Sequence, residues 1–163
     1  MFKFLKKSNP NQIIKSPISG RCISLEEVND EMFSSKMLGD GIAIETTGDT
    51  VYAPADGVIT TIVNSKHAFG IKLDTGLEML IHIGLDTVKL NGDGFSVLVN
   101  VEDKVKQGTP IIKFDRNFIE SKGMTLVTPV IILDSDQYYI NKFAIGQDVV
   151  GGESTVIEYK PRN

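Results

Sequence analysis

This sequence lacks the residues that would form disulfides or span a membrane. Cys22 is the only cysteine among 163 residues, so no internal disulfide is possible, which fits the reducing cytoplasm. No apolar run is long enough to cross a bilayer, because the longest, around residues 127–133, contains Thr128 and Pro129. We therefore expect a cytoplasmic protein with no stable membrane insertion.

The sequence also lacks an excess of basic residues. It has 17 lysine and arginine residues against 21 aspartate and glutamate residues, which gives a net charge of −4. A basic patch is the usual electrostatic signature of nucleic-acid binding, so this balance argues against a nucleic-acid partner. It permits a basic protein partner that is attracted by local acidic groups.

The length suits one domain with a sizeable core. We predict a flexible N-terminal tail over residues 1–12 and a single domain over residues 13–163. Met1–Lys7 has basic and apolar residues but no apolar region after them, so we do not expect it to act as a secretory signal. A frayed tail is the simpler interpretation of this segment, and a short amphipathic segment that touches anionic lipid is the alternative.

Turn residues recur at short intervals after residue 15, and the runs between them are rich in valine, isoleucine, threonine and phenylalanine. This pattern is typical of an all-β sandwich or barrel. We predict an antiparallel β-sandwich or barrel-sandwich hybrid. Helical turns are expected at Leu25–Phe33 and at Arg116–Lys122, where Asp115 is a good N-cap. The predicted strands cover residues 42–46, 58–63, 69–73, 77–83 and 109–114.

The chain contains a weak internal repeat. Residues 16–20 and 53–57 place proline and glycine alike before a strand-like run, and residues 105–108 resemble 149–152 in the same way. Proline fixes φ and cannot donate to a ladder, whereas glycine permits a tight reversal. The repeat predicts two related β-hairpin motifs that face each other.

His67 and His82 are the only histidines, and they flank one strand–turn–strand pattern. Imidazole titrates near neutrality and can act as a nucleophile, a proton carrier or a metal ligand. A loop with an even number of residues, Asp74–Thr75 or Leu73–Gly76, would place the two side chains directly opposite each other. An odd loop would put them on opposite faces unless a bulge intervenes. We predict the even loop.

The residues around the pair favour reactivity. Desolvation lowers the pKa of an imidazole and keeps it neutral and nucleophilic. If one ring nitrogen of His82 donates to a carbonyl such as that of Gly84, the other nitrogen is free to attack. Ser65 lies two residues before His67 and is placed to orient its ring. The apolar neighbours expected to keep the site dry are Leu77, Met79, Leu80, Ile81, Ile83 and Leu85.

From the residues alone, two other interpretations of the histidine pair stay open. Both imidazoles are explained equally well as satisfied core side chains. Zinc binding is the second alternative, but two histidines are too few for a closed site and no H-x-H or H-E-x-x-H element is present. We therefore predict no metal or other cofactor, with incidental zinc at His67 and His82 as the remaining possibility.

The segment Leu80–Val88, followed by Leu90 and Asn91–Phe95, carries a family resemblance. Together with residues 67–70 and 39–44, it closely resembles the glucose-type enzyme IIA component of the bacterial phosphoenolpyruvate:sugar phosphotransferase system. The resemblance spans about residues 13–158. Further matching segments are 16–20, 53–57, 114–115 and 128–130.

The resemblance implies an antiparallel β-sandwich and a function in sugar transport. It implies a phosphotransferase that accepts a phosphoryl group from the phosphohistidine of the carrier protein HPr on Nε2 of His82. The group would then pass to a cysteine on the IIB domain of a sugar permease. Cys22 does not match an acceptor motif and is expected in the core.

The same resemblance assigns roles to individual residues. His67 should help to position the phosphoryl group, Ser65 stands where the family usually has threonine, and the carbonyl of Gly84 should hold Nδ1 of His82. Asp40 and Asp86 should line the mouth of the site and face arginine on the incoming partner.

An apolar contact surface is also implied. Glu31 replaces an apolar residue that is usual in this surface, and Lys72 sits where an acidic residue can occur, so docking to a particular HPr can differ. The residues expected to form the apolar surface are Phe33, Met37, Leu38, Val63, Leu80 and Val88.

Other functions are weighed against the relay. A regulatory module, whose phosphorylation state is read by permeases or metabolic enzymes, is compatible with it. A biotinyl or lipoyl carrier needs a lysine at an exposed hairpin tip, but Lys72 lies before the Asp74–Gly76 tip. A zinc peptidase lacks a clear third ligand.

Overall fold

Short antiparallel strands are the main regular structure of the protein, as the sequence predicts. The computed structural model describes residues 11–162, so most of the predicted tail, including Met1–Lys7, lies outside the described residues. The strands are β1 (Gln12–Lys15), β2 (Gly20–Ser24), β3 (Asp40–Thr46), β4 (Thr50–Tyr52), β5 (Gly57–Ile62), β6 (Ala68–Leu73), β7 (Glu78–His82), β8 (Phe95–Val97), β9 (Lys104–Val105), β10 (Pro110–Phe114), β11 (Val127–Ile132), β12 (Tyr138–Asn141), β13 (Asp148–Val149) and β14 (Thr155–Pro161).

The strands form three sheets. The largest has eight strands in the order β13-β2-β3-β11-β7-β6-β5-β9, and the two others have the orders β1-β14-β12 and β4-β10-β8. Their buried side chains join in one hydrophobic core, to which Ile14, Ile71 and Ile112 contribute from different sheets. The described residues form no closed barrel, and the predicted fold class is confirmed.

The internal repeat corresponds to a reciprocal contact between its two copies. Lys15 and Tyr52 each lie two residues before the proline of their own copy. The Lys15 N–H donates to the carbonyl of Pro54 over 2.9 Å, and the Tyr52 N–H donates to the carbonyl of Pro17 over 2.7 Å. The first two repeated segments therefore face each other, as predicted. They are not β-hairpins, however, because β1 and β2 lie in different sheets, and so do β4 and β5.

Among residues 11–162, helical structure is confined to two short α-helices and three 3-10 turns. The predicted turn at residues 25–33 divides into a 3-10 turn, Leu25–Glu27, and α1 (Glu31–Ser34), which Asp30 caps at its N-terminus. The second helix, α2 (Arg116–Ser121), is capped by Asp115 as predicted. Within residues 11–162, none of these helices has the length and apolar character to span a bilayer.

A second, smaller hydrophobic cluster lies apart from the main core. It includes Leu25 and Phe33 from the helical segment, Ala43 and Ile131 from the large sheet, and Leu85 after β7. Because neighbouring side chains on a strand point to opposite faces, β7 contributes Ile81 to the main core and packs Leu80 against the small cluster. The histidine site forms beside this small cluster.

Candidate active site at the histidine pair

The register of the β6–β7 hairpin differs from the prediction. The Leu73 N–H donates to the Leu77 carbonyl over 2.8 Å, so the loop contains three residues, Asp74–Gly76. His82 is paired with Ala68 and not with His67. The even loop and the directly opposed histidines predicted from sequence are therefore wrong.

The two rings nevertheless meet, because His67 is not a strand residue. It ends the turn between β5 and β6, which Val63 closes by donating its N–H to the Ala68 carbonyl over 3.1 Å. Lys66, just before it, has a left-handed φ of 64°, so the alternation of a strand does not govern His67. Its ring centroid lies 4.7 Å from that of His82, in an edge-to-face arrangement.

The ring of His82 is held by contacts on two sides. Its Nδ1 lies 2.8 Å from the carbonyl oxygen of Gly84. The ring centroid of Phe33 lies 4.9 Å from the ring centroid of His82. Since a carbonyl only accepts, Nδ1 must carry the proton and Nε2 keeps a free lone pair.

Gly84 fits its place because a side chain there would collide with the backbone. Its φ is +78°, and an added Cβ would come within 2.7 Å of Thr87 Cγ2 and 2.8 Å of the Thr125 carbonyl oxygen. Thr87 is buried and donates its hydroxyl to the Ile83 carbonyl over 2.6 Å. The strand end that presents the Gly84 carbonyl is thus fixed from both sides.

His67 is less exposed to solvent than His82. It is 5% exposed, and its Nδ1 lies 2.9 Å from the Ser65 hydroxyl. Burial, and then the charge of His82, lower the pKa of His67 to about 4. Burial also lowers the pKa of His82, although the Gly84 carbonyl and Asp30 act in the opposite direction. Both imidazoles are therefore neutral at pH 7.

The apolar environment of His82 differs from the one expected. Leu77, Met79, Ile81 and Ile83 belong to the main core on the other face of the sheet. Only Leu80 and Leu85, of the six neighbours predicted, pack with the small cluster. The difference follows from strand alternation, which sends every second side chain of β7 away from the histidine ring.

The residues predicted to form an apolar contact surface divide by exposure. Phe33 is buried within the small cluster, whereas Met37, Leu38 and Val88 are 75%, 37% and 51% exposed. Val63 and Leu80 lie between these extremes. Phe33 therefore supports the His82 ring, and the exposed side chains are the ones a partner can touch.

The two predicted acidic residues lie in different surroundings. Asp86 is exposed at the start of the 3-10 turn Thr87–Leu90. Asp40 is half-buried, and its Oδ1 lies 2.7 Å from Nζ of Lys142 and 3.6 Å from that of Lys36. Among residues 11–162 Asp40 is therefore already paired with two lysines.

Asp30 is a site residue that the sequence analysis missed. Its side chain caps α1 by accepting from the Met32 N–H over 3.0 Å, and its charge acts on His82. The signal for it was available, since an aspartate three residues before Phe33 is a typical N-cap in the predicted turn 25–33.

A zinc site would need further ligands beside the two imidazoles. Within residues 11–162, no group of three or more histidine, cysteine, aspartate or glutamate side chains is placed to hold a metal ion. Cys22 lies in the core, where burial raises its thiol pKa to about 11. It is therefore unsuited to act as a thiolate at pH 7.

Comparison with known proteins points to one family. Residues 12–138 match the family model of the phosphoenolpyruvate-dependent sugar phosphotransferase system, EIIA 1. The chain is 40% identical over 162 residues to the glucose-specific EIIA component of Staphylococcus epidermidis, covering 97% of this chain and 98% of that protein.

Two further proteins are similar. The mannose-specific EIIBCA component of Corynebacterium glutamicum is 43% identical over 150 residues, which are 92% of this chain. The chain spans only 22% of the length of that larger protein. The solved structure of glucose permease IIA from Mycoplasma capricolum superposes with a TM-score of 0.82 at 33% identity, covering 97% of this chain and 99% of that one.

Proposed function

The chain belongs to the EIIA 1 family of the phosphoenolpyruvate-dependent sugar phosphotransferase system, and we propose that His82 is the residue through which it relays a phosphoryl group. The donor is the phosphohistidine of HPr, and the acceptor is a cysteine on the IIB domain of a sugar permease. One observation carries the assignment of His82. Its Nδ1 is committed to the Gly84 carbonyl at 2.8 Å, so Nε2 is the nucleophilic atom.

Each transfer is a displacement at phosphorus. The lone pair of Nε2 of His82 forms the new N–P bond, while the N–P bond of the donor breaks and its electron pair returns to the donor imidazole. The proton on Nδ1 stays in its hydrogen bond to Gly84. In the second transfer the cysteine attacks as its thiolate and forms an S–P bond, and the electron pair of the His82 N–P bond returns to Nε2. Such transfer needs positioning and charge stabilisation more than covalent help.

His67 is suited to stabilise the charge that moves with phosphorus. If the Ser65 hydroxyl donates to Nδ1 over the observed 2.9 Å, the proton of the neutral ring sits on Nε2. That N–H then donates to a phosphoryl oxygen held on His82. Because burial lowers the pKa of His67, the ring donates one hydrogen bond without carrying a charge.

The surroundings of the pair suit a brief protein–protein contact. The exposed side chains of Met37 and Val88 can exclude water from the phosphoryl group while a partner is docked. Asp86 and Asp30 supply negative charge for a cationic partner, which raises the association rate more than the affinity. A relay between HPr and IIB implies a cytoplasmic location.

The relay is tested by labelling. The protein is incubated with labelled phosphoenolpyruvate and the two general phosphotransferase proteins, and acid-labile, base-stable phosphate is measured. His82→Ala should take no label. His67→Ala should be labelled but should pass the group on poorly to IIB. Label that persists in His82→Ala would refute the assignment.

We propose that the relay uses no metal ion. Transfer from preformed phospho-HPr requires neither phosphoenolpyruvate nor the general kinase, so a chelator can be added without disabling the donor. The rate of label transfer should be the same with and without the chelator. A rate that falls on chelation and returns with zinc would show that zinc at His67 and His82 matters.

A regulatory function is a second candidate, favoured by the exposed apolar side chains of Met37 and Leu38, which follow Phe33 in the chain, and of Val88, six residues after His82. A phosphoryl group would place about two negative charges next to this patch. Permeases or metabolic enzymes that bind the apolar patch would then distinguish the two states. The test compares their affinity for the unphosphorylated protein and for the protein held phosphorylated by excess donor.

A further inference from the structure

Four charged residues form a chain of alternating sign beside the exposed Met37. Glu26 pairs with Lys36 at 3.0 Å, Lys36 approaches Asp40 at 3.6 Å, and Asp40 pairs with Lys142 at 2.7 Å. The four charges cancel, and they come from separate segments of the chain. Such a network joins these segments while adding no net charge to the surface.

Asp40 is the centre of this network. Its Oδ1 accepts from the Gly41 N–H over 2.8 Å as well as from Lys142, and its own N–H donates to the Ser135 hydroxyl over 3.0 Å. Partial burial alone would raise the pKa of Asp40, but the hydrogen bond from Lys142 and the other cationic and backbone contacts lower it overall. The carboxylate is therefore ionised and held in place.

The network closes around the turn that connects α1 to β3. Lys36 begins this turn with a left-handed φ of 63°, and its carbonyl accepts from the Gly39 N–H over 3.2 Å. An added Cβ on Gly39 would lie 2.1 Å from the Ile132 carbonyl oxygen, so the end of the turn packs directly on β11. Between these two ends, Met37 and Leu38 project to solvent.

We propose that Asp40 is a positioning residue that holds Met37 and Leu38 in the geometry in which a phosphotransfer partner docks. This proposal rests on the proposed relay and differs from the expectation that Asp40 faces an arginine of the partner. With Lys36 and Lys142 beside it, Asp40 offers little net attraction to a partner's cation. Asp40 affects docking indirectly, because it fixes the conformation of the turn that carries Met37 and Leu38.

The two roles predict opposite effects of removing Lys142. If Asp40 positions the turn, Lys142→Gln weakens docking as Asp40→Asn does. If Asp40 instead binds the partner's cation, Lys142→Gln frees the carboxylate and strengthens docking. Transfer from phospho-HPr is therefore measured for both variants. For each, KM should rise about fivefold with kcat unchanged, the size expected for one partly buried ion pair.

Two further variants sharpen this measurement. Lys142→Arg keeps the charge and should restore most of the KM of the parent protein. Lys106→Gln is the matched control, because it removes a lysine from the exposed Lys106–Asp56 pair, 3.8 Å apart, and should leave KM unchanged. The double variant of Asp40→Asn and Lys142→Gln should be no weaker than either single variant, since both break the same contact.

Hydrogen exchange tests the positioning without any partner. The Gly39 amide should exchange several-fold faster in Asp40→Asn and in Lys142→Gln, but not in Lys106→Gln. Unchanged exchange in both variants, or a KM that falls in Lys142→Gln, would overturn the proposal. If the parent protein takes no label from phospho-HPr, the relay is refuted, and the exchange result still decides whether Asp40 orders the turn.

Discussion

The two faces of the β6–β7 hairpin perform different tasks with the same backbone. One face presents Ile71, Met79 and Ile81, which are fully buried in the main core. The other presents Leu80 and His82, which are only partly covered. The comparison shows that a reactive imidazole can be fixed rigidly without being sealed, because the opposite face of its strand carries the stability.

Substitution of adjacent residues on β7 should separate the two faces most clearly. Ile81→Ala removes buried volume from the main core and should lower the free energy of unfolding by roughly 2–5 kcal/mol. His82→Ala should abolish labelling and change this free energy far less, since its ring is partly exposed. Urea denaturation and labelling measure the two effects. Label uptake by folded Ile81→Ala should persist, and its complete loss would contradict the separation.

Phe33 tests whether the outer face also has a supporting core. Phe33→Ala should lower the free energy of unfolding by about 3 kcal/mol, because a fully buried ring is lost from the small cluster. It should also slow label uptake, since the His82 ring loses its neighbour at 4.9 Å. Phe33→Leu is the control, and should recover much of the stability but only part of the rate. Equal rates in both variants and the parent would show that the ring contact is irrelevant to transfer.

Acid should lower the free energy of unfolding, because His67 is buried with a lowered pKa. The folded-state pKa of His67 is about 4, below the ordinary value of 6.5, so between these values the unfolded chain binds a proton that the folded protein does not. The free energy of unfolding should therefore fall as pH falls from 6.5 towards 4, by roughly 3 kcal/mol from this residue. Urea denaturation across this range should give a flatter profile for His67→Gln. A profile as steep as that of the parent protein would assign the acid sensitivity to other groups.

The smallest effect is expected at the turn that delivers His67. Lys66 has a left-handed φ of 64°, which a lysine adopts at a cost and asparagine tolerates better. Lys66→Asn should raise the free energy of unfolding by about 0.5 kcal/mol while leaving label uptake unchanged. Thermal denaturation measures the shift. Lys89→Asn, on a residue outside the left-handed region, is the control and should give no gain.

Strand positions followed from sequence because turn residues and β-branched runs mark them locally. β3, β5, β6, β7 and β10 all lie where the pattern predicts, within two residues at each end. The N-cap of α2 is likewise a local signal. The contact between the two proline-containing segments, residues 16–20 and 53–57, could also be predicted, because their sequences repeat the same placing of proline and glycine.

The site was predicted less completely, because its geometry depends on two loops. The loop length decides which residues of a hairpin lie opposite each other. The β6–β7 loop has three residues, Asp74–Gly76, with Gly76 in the left-handed region. The meeting of the rings depends on His67 lying in a turn, which a strand pattern does not reveal. Asp30 acts on His82 through its charge, and Lys142 pairs with Asp40 from a distant part of the chain. Neither long-range interaction can be read from the local sequence, although the N-cap role of Asp30 can.

The pairing of β1 with β14 has a consequence for synthesis on the ribosome. Gln12 lies opposite Tyr159. The ladder of β1 therefore cannot form until β14, near the end of the chain, has been synthesised. Until then the nascent protein keeps an open edge, and long-range pairings of this kind are slow to form and prone to aggregation. Chaperone dependence during translation should therefore concentrate at the amino-terminal strand, which has no residue in the histidine site.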